Sequence, residues 1–361
     1  MTIFYVTLLL VYIFSLLARI TSNKRTGRAS IMFTIIVALI LTIISGLRTN
    51  IGDTSMYVHT YNLIGPNYKS GGEYEAGFIL ILRILKSISE DPQFMIMIIS
   101  IAVNLCIIFT LWKYSKYYYF EIATFLYVAS GYYLVTMNGI RQCLAASILF
   151  AATPFLIKRK TIIYMIIVAL TITIHSSAFI MIPMYFIINV KPWSKQSGVL
   201  IICTLIAMFL YDPLMNLAVS IAGNKMEAYQ SSTEGGTNII RVAVFFVPVF
   251  LSYLKKENMN REWNKINIFV NINLLSFLVM VFALIQWVFA RFTLYLQPYT
   301  FILMGYTIKN CFKGKERRIL YYGLIVCYTL FFFIECPSNL NGVPYETNFN
   351  INDFLYKYYK R

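Results

Sequence analysis

The chain has 361 residues, 59% of them hydrophobic and 13% charged, with a mean hydropathy of +0.67 and a formal charge of +16. A soluble domain of this size needs far more polar surface, so the composition marks an integral membrane protein and excludes a soluble enzyme. The basic residues sit in short segments between apolar runs, as membrane topology requires, so no nucleic-acid partner is expected.

The first apolar run, 2–20, lacks a basic n-region and a small-residue cleavage site and reads as a retained helix. Further runs follow near 29–47, 93–112, 119–136, 141–157, 161–174, 178–190, 197–211, 238–254, 266–289, 292–309 and 319–335. Most approach the roughly 20 residues needed to cross a bilayer. Alternate connections hold the lysines and arginines: Lys24, Arg25 and Arg28; Lys113 and Lys116; Lys158, Arg159 and Lys160; Lys191 and Lys195; Lys255, Lys256, Arg261 and Lys265; and Lys309, Lys313, Lys315, Arg317 and Arg318. The positive-inside bias assigns these six connections to the cytoplasm. The expectation is an all-α polytopic membrane protein of about twelve transmembrane helices (about ten to twelve, with interfacial or re-entrant pieces), both termini extracytoplasmic, forming one domain over 1–361.

The second run closes on Gly46-Leu47-Arg48-Thr49-Asn50-Ile51-Gly52-Asp53. Arg48 there reads either as an anchor snorkelling to lipid phosphate or as an anion contact. A helix over 53–61 aligns Asp53, Tyr57 and Tyr61 on one face, an arrangement suited to a sugar, although Asp53 also fits a helix cap. The rest of the outer loop 48–92 holds the acidic pair Glu73 and Glu75, of a kind most often simply solvated. It ends in an apolar run over 78–88 that is too short to span and reads as an interfacial helix.

Asn138-Gly139-Ile140-Arg141-Gln142 joins two runs with almost no loop, which puts Arg141 at a helix start. A cation is poorly placed there unless it and the free N–H groups share an anion such as phosphate. The pair of runs over 161–190 is short, is interrupted by Pro183, and turns at His175-Ser176-Ser177, so this hairpin can end inside the bilayer. His175 reads as a polar helix end or as a general base. A polar outer loop at 212–237 reads as a lid or a plain flexible loop. Arg291, with Gln286, Gln297 and Tyr295, marks another outer turn. The six cysteines show no paired spacing, only two histidines are present, and no nucleotide loop occurs, so neither a disulfide framework, a metal nor a cofactor is expected.

These residues carry a family resemblance. SGLRTNIGDTSMYVHTY (Ser45 to Tyr61), EYEAGFILILRILKSISEDPQF (Glu73 to Phe94), MNGIRQCLAASI (Met137 to Ile148), IHSSAFIMIPMYF (Ile174 to Phe186) and ARFTLY (Ala290 to Tyr295) resemble, in this order, the EpsG family of bacterial exopolysaccharide membrane proteins, related to Wzy-type polymerases. Where the family often has glycine-threonine-aspartate-tyrosine, this chain has Gly52-Asp53-Thr54-Ser55. The resemblance implies a multi-pass protein of the bacterial cytoplasmic membrane that builds polysaccharide from undecaprenyl-pyrophosphate-linked repeat units on the outer face. Its partners would be that lipid-linked oligosaccharide, membrane lipid, and export or chain-length regulator proteins.

On this reading Arg48, Arg141 and Arg291 stabilise the leaving pyrophosphate, and His175 or Asp53 takes the acceptor proton. Tyr57, Tyr61, Asn138, Gln142 and Tyr295 contact the substrate. The rival readings are a transporter or flippase of lipid-linked sugar, a glycan ligase, and a structural subunit.

Overall fold

Along α1 (Thr2–Ile20), Phe4, Thr7, Leu8, Val11, Ser15 and Ala18 are buried at steps of three or four residues, one stripe of a helix. The opposite face is no more polar, since Val6, Leu9 and Ile13 are exposed. In α2 (Ile31–Gly46) the inward stripe runs through Thr34, Val37, Ala38, Leu41 and Ser45, while Met32, Ile35, Leu39 and Ile43 point outward. Helices apolar on their outer faces would aggregate in water; their outer solvent is lipid. Inward-facing Ser and Thr return their hydroxyls to the preceding turn, as Ser45 does to the Leu41 carbonyl at 2.8 Å.

The computed structural model describes residues 1–65, 68, 74–211, 213, 216, 235–340 and 342–348. Among them all regular structure is helical, apart from one isolated antiparallel bridge between Arg48 and Thr347. After α2 come α3 (Thr54–Leu63), α4 (Ala76–Ile88), α5 (Pro92–Tyr114), α6 (Phe120–Ala129), α7 (Tyr132–Asn138), α8 (Ile140–Ala151), α9 (Thr153–Ile157) and α10 (Thr161–Ile172). Then follow α11 (Met181–Ile187), α12 (Lys195–Phe209), α13 (Ile239–Leu254), α14 (Ile266–Phe282), α15 (Val288–Phe292), α16 (Gln297–Cys311) and α17 (Gly314–Asn339).

Three of these are long and apolar enough to cross a bilayer: α1, α5 with its 3-10 continuation to Tyr117, and α17. A fourth crossing results if α6 and α7, bent by 50° at Ser130-Gly131, count together. The other apolar helices have 10–17 residues, and at about 1.5 Å per residue they fall short of a hydrocarbon core of roughly 30 Å. Several expected runs are thus interrupted: 119–136 bends, 141–157 breaks at Ala152 before Pro154, and 266–289 stops as a helix at Phe282. The expected interfacial segment at 78–88 is helical, as α4.

The chain divides into two compact units, one of 1–179 with 314–361 and one of 180–313. In the first, α2 packs on α1 and α5, α1 on α6, and α5 on α8. The centre is α6, every residue of which is buried. Its one charged side chain, Glu121, is held by Arg19 of α1, whose Nε is 2.8 Å away. A charge buried among helices persists only with such a partner. In the second unit α14 packs against α12, α13 and α16, and Asn271 of α14 donates to the Ile188 carbonyl at 2.9 Å.

Candidate functional site

The first unit gathers one polar cluster from four distant stretches, beginning with α3. Gly52, just before this helix, has φ +54°, and a β-carbon there would fall 2.4 Å from Asn138 Oδ1. Only glycine admits both the left-handed backbone and this close approach. Asn138 Oδ1 consequently accepts the Asp53 N–H at 3.1 Å. The Asp53 side chain makes no capping bond to α3 and stays exposed, with no ion-pair partner among the described residues. The capping alternative for its carboxylate is therefore not realised.

Arg141 lies in the first turn of α8, as its position after Gly139 predicts. Its Nη1 is 2.7 Å from Glu75 Oε2, and its guanidinium carbon lies 4.5 Å from the Tyr74 ring centroid and 5.8 Å from that of Phe78. Its Nε donates to the Tyr57 hydroxyl at 3.4 Å. A cation disfavoured by the dipole of α8 is thus compensated by a carboxylate and two ring faces.

Glu75 in turn binds the His175 hairpin, its Oε1 accepting the Ser176 N–H at 2.8 Å. The hairpin is drawn in by backbone contacts: the Gly77 and Phe78 N–H groups at the start of α4 donate to the Thr173 carbonyl at 2.8 and 3.2 Å. A β-carbon at Gly77 would sit 2.7 Å from that carbonyl oxygen, so the approach requires glycine. Burial pushes the Glu75 carboxyl up, but the Ser176 donors and the Arg141 charge outweigh it and hold the group below the usual carboxylate range. Burial raises the Tyr57 phenol, an effect that Arg141 partly offsets.

Buried Gln142 donates from Nε2 to Ser177 Oγ at 3.2 Å, and Ser177 Oγ lies 2.7 Å from His175 Nδ1. The Ser177 N–H also points at Nδ1, at 3.3 Å. With Nδ1 accepting, the proton of the neutral ring belongs on Nε2. In that tautomer His175 offers an N–H donor; service as a base through Nε2 would need the other one.

With this geometry in view, the comparison with known families decides the affiliation. The EpsG family model matches residues 31–348, nearly the whole chain. The chain belongs to the EpsG family. It is thereby a membrane protein of exopolysaccharide metabolism. No curated protein and no solved structure matches it.

In this EpsG-family chain several expected site residues are placed otherwise than their sequence positions suggest. Arg48 is not a donor at an open mouth: it is 2% exposed. Its Nε donates to Thr54 Oγ1 at 3.1 Å, and its Nη1 donates to the Ser45 carbonyl and to Ser100 Oγ. Burial lowers its pKa to about 10, still charged at neutral pH. It locks the end of α2 to α3 and α5, behind Asp53. Tyr61 is fully buried, with its hydroxyl donated to the Ser89 carbonyl at 2.7 Å, so its ring is not available for sugar stacking. The predicted common face of Tyr57 and Tyr61 exists, but it packs inward. Tyr295 and Gln297, in the second unit, are buried as well. Arg291, also in that unit, is exposed and lies over the Trp287 ring at 4.7 Å.

Of Tyr74, Glu75, Gly77 and Thr173, which the structure adds to the site, only Glu75 stands out in the sequence, and there as one of a pair that reads as solvated. The alternation Tyr74-Glu75-Ala76-Gly77-Phe78 holds the only available hint, a carboxylate between two aromatics beside a small residue. Glu73 and most of the loop 212–237 lie outside the described residues.

Proposed function

We propose that the protein polymerises lipid-linked oligosaccharide repeat units on the outer face of the bacterial cytoplasmic membrane, as a metal-independent, Wzy-like glycosyltransferase with a polyprenyl-pyrophosphate-linked donor. The positive-inside bias of the basic connections supports an outer position for the cluster. The observation that carries this reading is the Arg141–Glu75 pair, stacked on Tyr74, in a cluster to which exposed Asp53 is tied through its backbone N–H on Asn138.

The acceptor hydroxyl of one lipid-linked unit attacks the anomeric carbon of the other. As the new bond forms, the bond to the phosphate oxygen breaks and the pyrophosphate leaves with the electron pair. Arg141 offsets the charge on that leaving group, held at a fixed angle by Glu75 and the aromatic rings. Asp53 takes the proton of the acceptor hydroxyl. Asn138 and His175 contact the sugars, and buried Tyr57 and Gln142 hold Arg141 and Ser177 in place behind them. A single displacement inverts the anomeric centre. The donor is already activated, so no nucleotide is needed.

Purified protein given a lipid-linked repeat unit in detergent should produce a ladder of lengthened products on a gel. Arg141→Ala should slow this by about 10²–10³, the loss typical of one charge-stabilising donor. A transporter would lengthen nothing, and full-length polymer from Arg141→Ala would refute the assignment.

A further inference from the structure

At the other end of the first unit, a cavity of about 250 Å³ opens between the end of α1 and the start of α17, lined among others by Tyr12, Arg19, Tyr119, Arg317, Arg318 and Tyr321. Its framework is fixed. Arg19 Nε lies 2.8 Å from both oxygens of buried Glu121, the Tyr321 hydroxyl donates to Glu121 at 2.9 Å, and the hydroxyls of Tyr12 and Tyr321 are 3.1 Å apart. The Arg19 guanidinium also lies over the Tyr119 ring, at 4.9 Å. Glu121 answers the charge of Arg19, and Arg317 and Arg318 lie in the same lining. Arg318 has no ion-pair partner among the described residues.

Two further observations define what fits. The cavity is smaller than the roughly 300–1,000 Å³ typical of drug-sized ligands, so it admits a compact anionic group. It is also flanked by exposed apolar side chains, Leu9 and Ile13 on α1 and Ile319, Tyr322 and Val326 on α17, which would lie along acyl chains. Lys24, Arg25, Arg28, Lys313 and Lys315 surround this end in the sequence, which by the positive-inside bias faces the cytoplasm. Basic pockets between helices on that side suit anionic lipid head groups.

We propose that this cavity binds the phosphate head group of an anionic membrane lipid, gripped by Arg317 and Arg318 with the tyrosine hydroxyls, while its chains lie along α1 and α17. This site is separate from the outer cluster, and the proposal does not depend on the polymerase reading.

The test uses full-length protein in phosphatidylcholine vesicles doped with spin-labelled phosphatidylglycerol, reading the motionally restricted lipid fraction. Wild type should prefer labelled phosphatidylglycerol to labelled phosphatidylcholine. Arg317→Gln with Arg318→Gln should weaken that preference roughly 30-fold, as expected for two near-surface guanidinium groups. Arg317→Lys with Arg318→Lys, which keeps the charge, should retain part of it. Equal retention of the two lipids by wild type, or an undiminished preference in the glutamine variant, would overturn the proposal. So would displacement of the lipid by millimolar inorganic phosphate, which would make the ligand a soluble anion.

Discussion

The exposed carboxylate of Asp53 and the tethered one of Glu75 differ in surroundings, and that difference divides their roles. Asp53 has no ion-pair partner among the described residues, so its removal should leave the fold intact. Asp53→Asn should therefore reach the membrane at wild-type levels yet polymerise about 10²–10⁴ times more slowly, the range of a general base, with gel ladders as the readout. Glu75 is structural as well as electrostatic. Its folded pKa is depressed, so the stability it lends is present above the ordinary carboxylate range and lost as pH falls through its lower folded value. Exchange of the Ser176 amide should accelerate as pH drops through that window, relative to its intrinsic rate. In Glu75→Ala, which has no side-chain acceptor, the exchange should be fast at every pH. Unchanged protection in that variant would exclude the tether.

At the level of elements, the site depends on how α4 meets the His175 hairpin. The first N–H groups of a helix lack partners within it, and those of Gly77 and Phe78 find one in the Thr173 carbonyl. Because the neighbour at 2.7 Å is backbone and cannot swing aside, Gly77→Ala must push α4 away from the hairpin. The expected result is a lower melting temperature, by the equivalent of about 1–3 kcal/mol for an overpacked contact, together with lost polymer. Wild-type melting and activity in this variant would mean that the approach of α4 is not needed. The short helices follow the same logic. α7 and α10 end where polar turns enter the cluster, and such breaks are tolerated at membrane depth only when protein surrounds them.

For the molecule as a whole, the basic connections predict sidedness. In a background without native cysteines, Asp53→Cys should react with an impermeant maleimide from outside intact cells, and Lys24→Cys only after lysis. The reverse pattern would put the cluster in the cytosol and remove the polymerase reading. What the chain's one-dimensional order determined was the membrane class, the family through its five motifs, and the polar turns at Asp53, Asn138, Arg141 and His175. Each of these is a local matter, of hydropathy or of residues adjacent in the sequence. What only the tertiary structure decided was which polar groups meet. Arg48 and Arg141 look alike in sequence, both arginines at helix ends, yet one is sealed in the core and the other joins Glu75, 66 positions away. The same holds for Tyr57 and Tyr61, where periodicity gives a shared face but not what covers it. Hydropathy reports how a segment partitions between lipid and water, whereas an ion pair depends on separations of a few ångströms between distant segments, which the packing of α3, α4 and α8 on α5, and of the hairpin on α4, alone establishes.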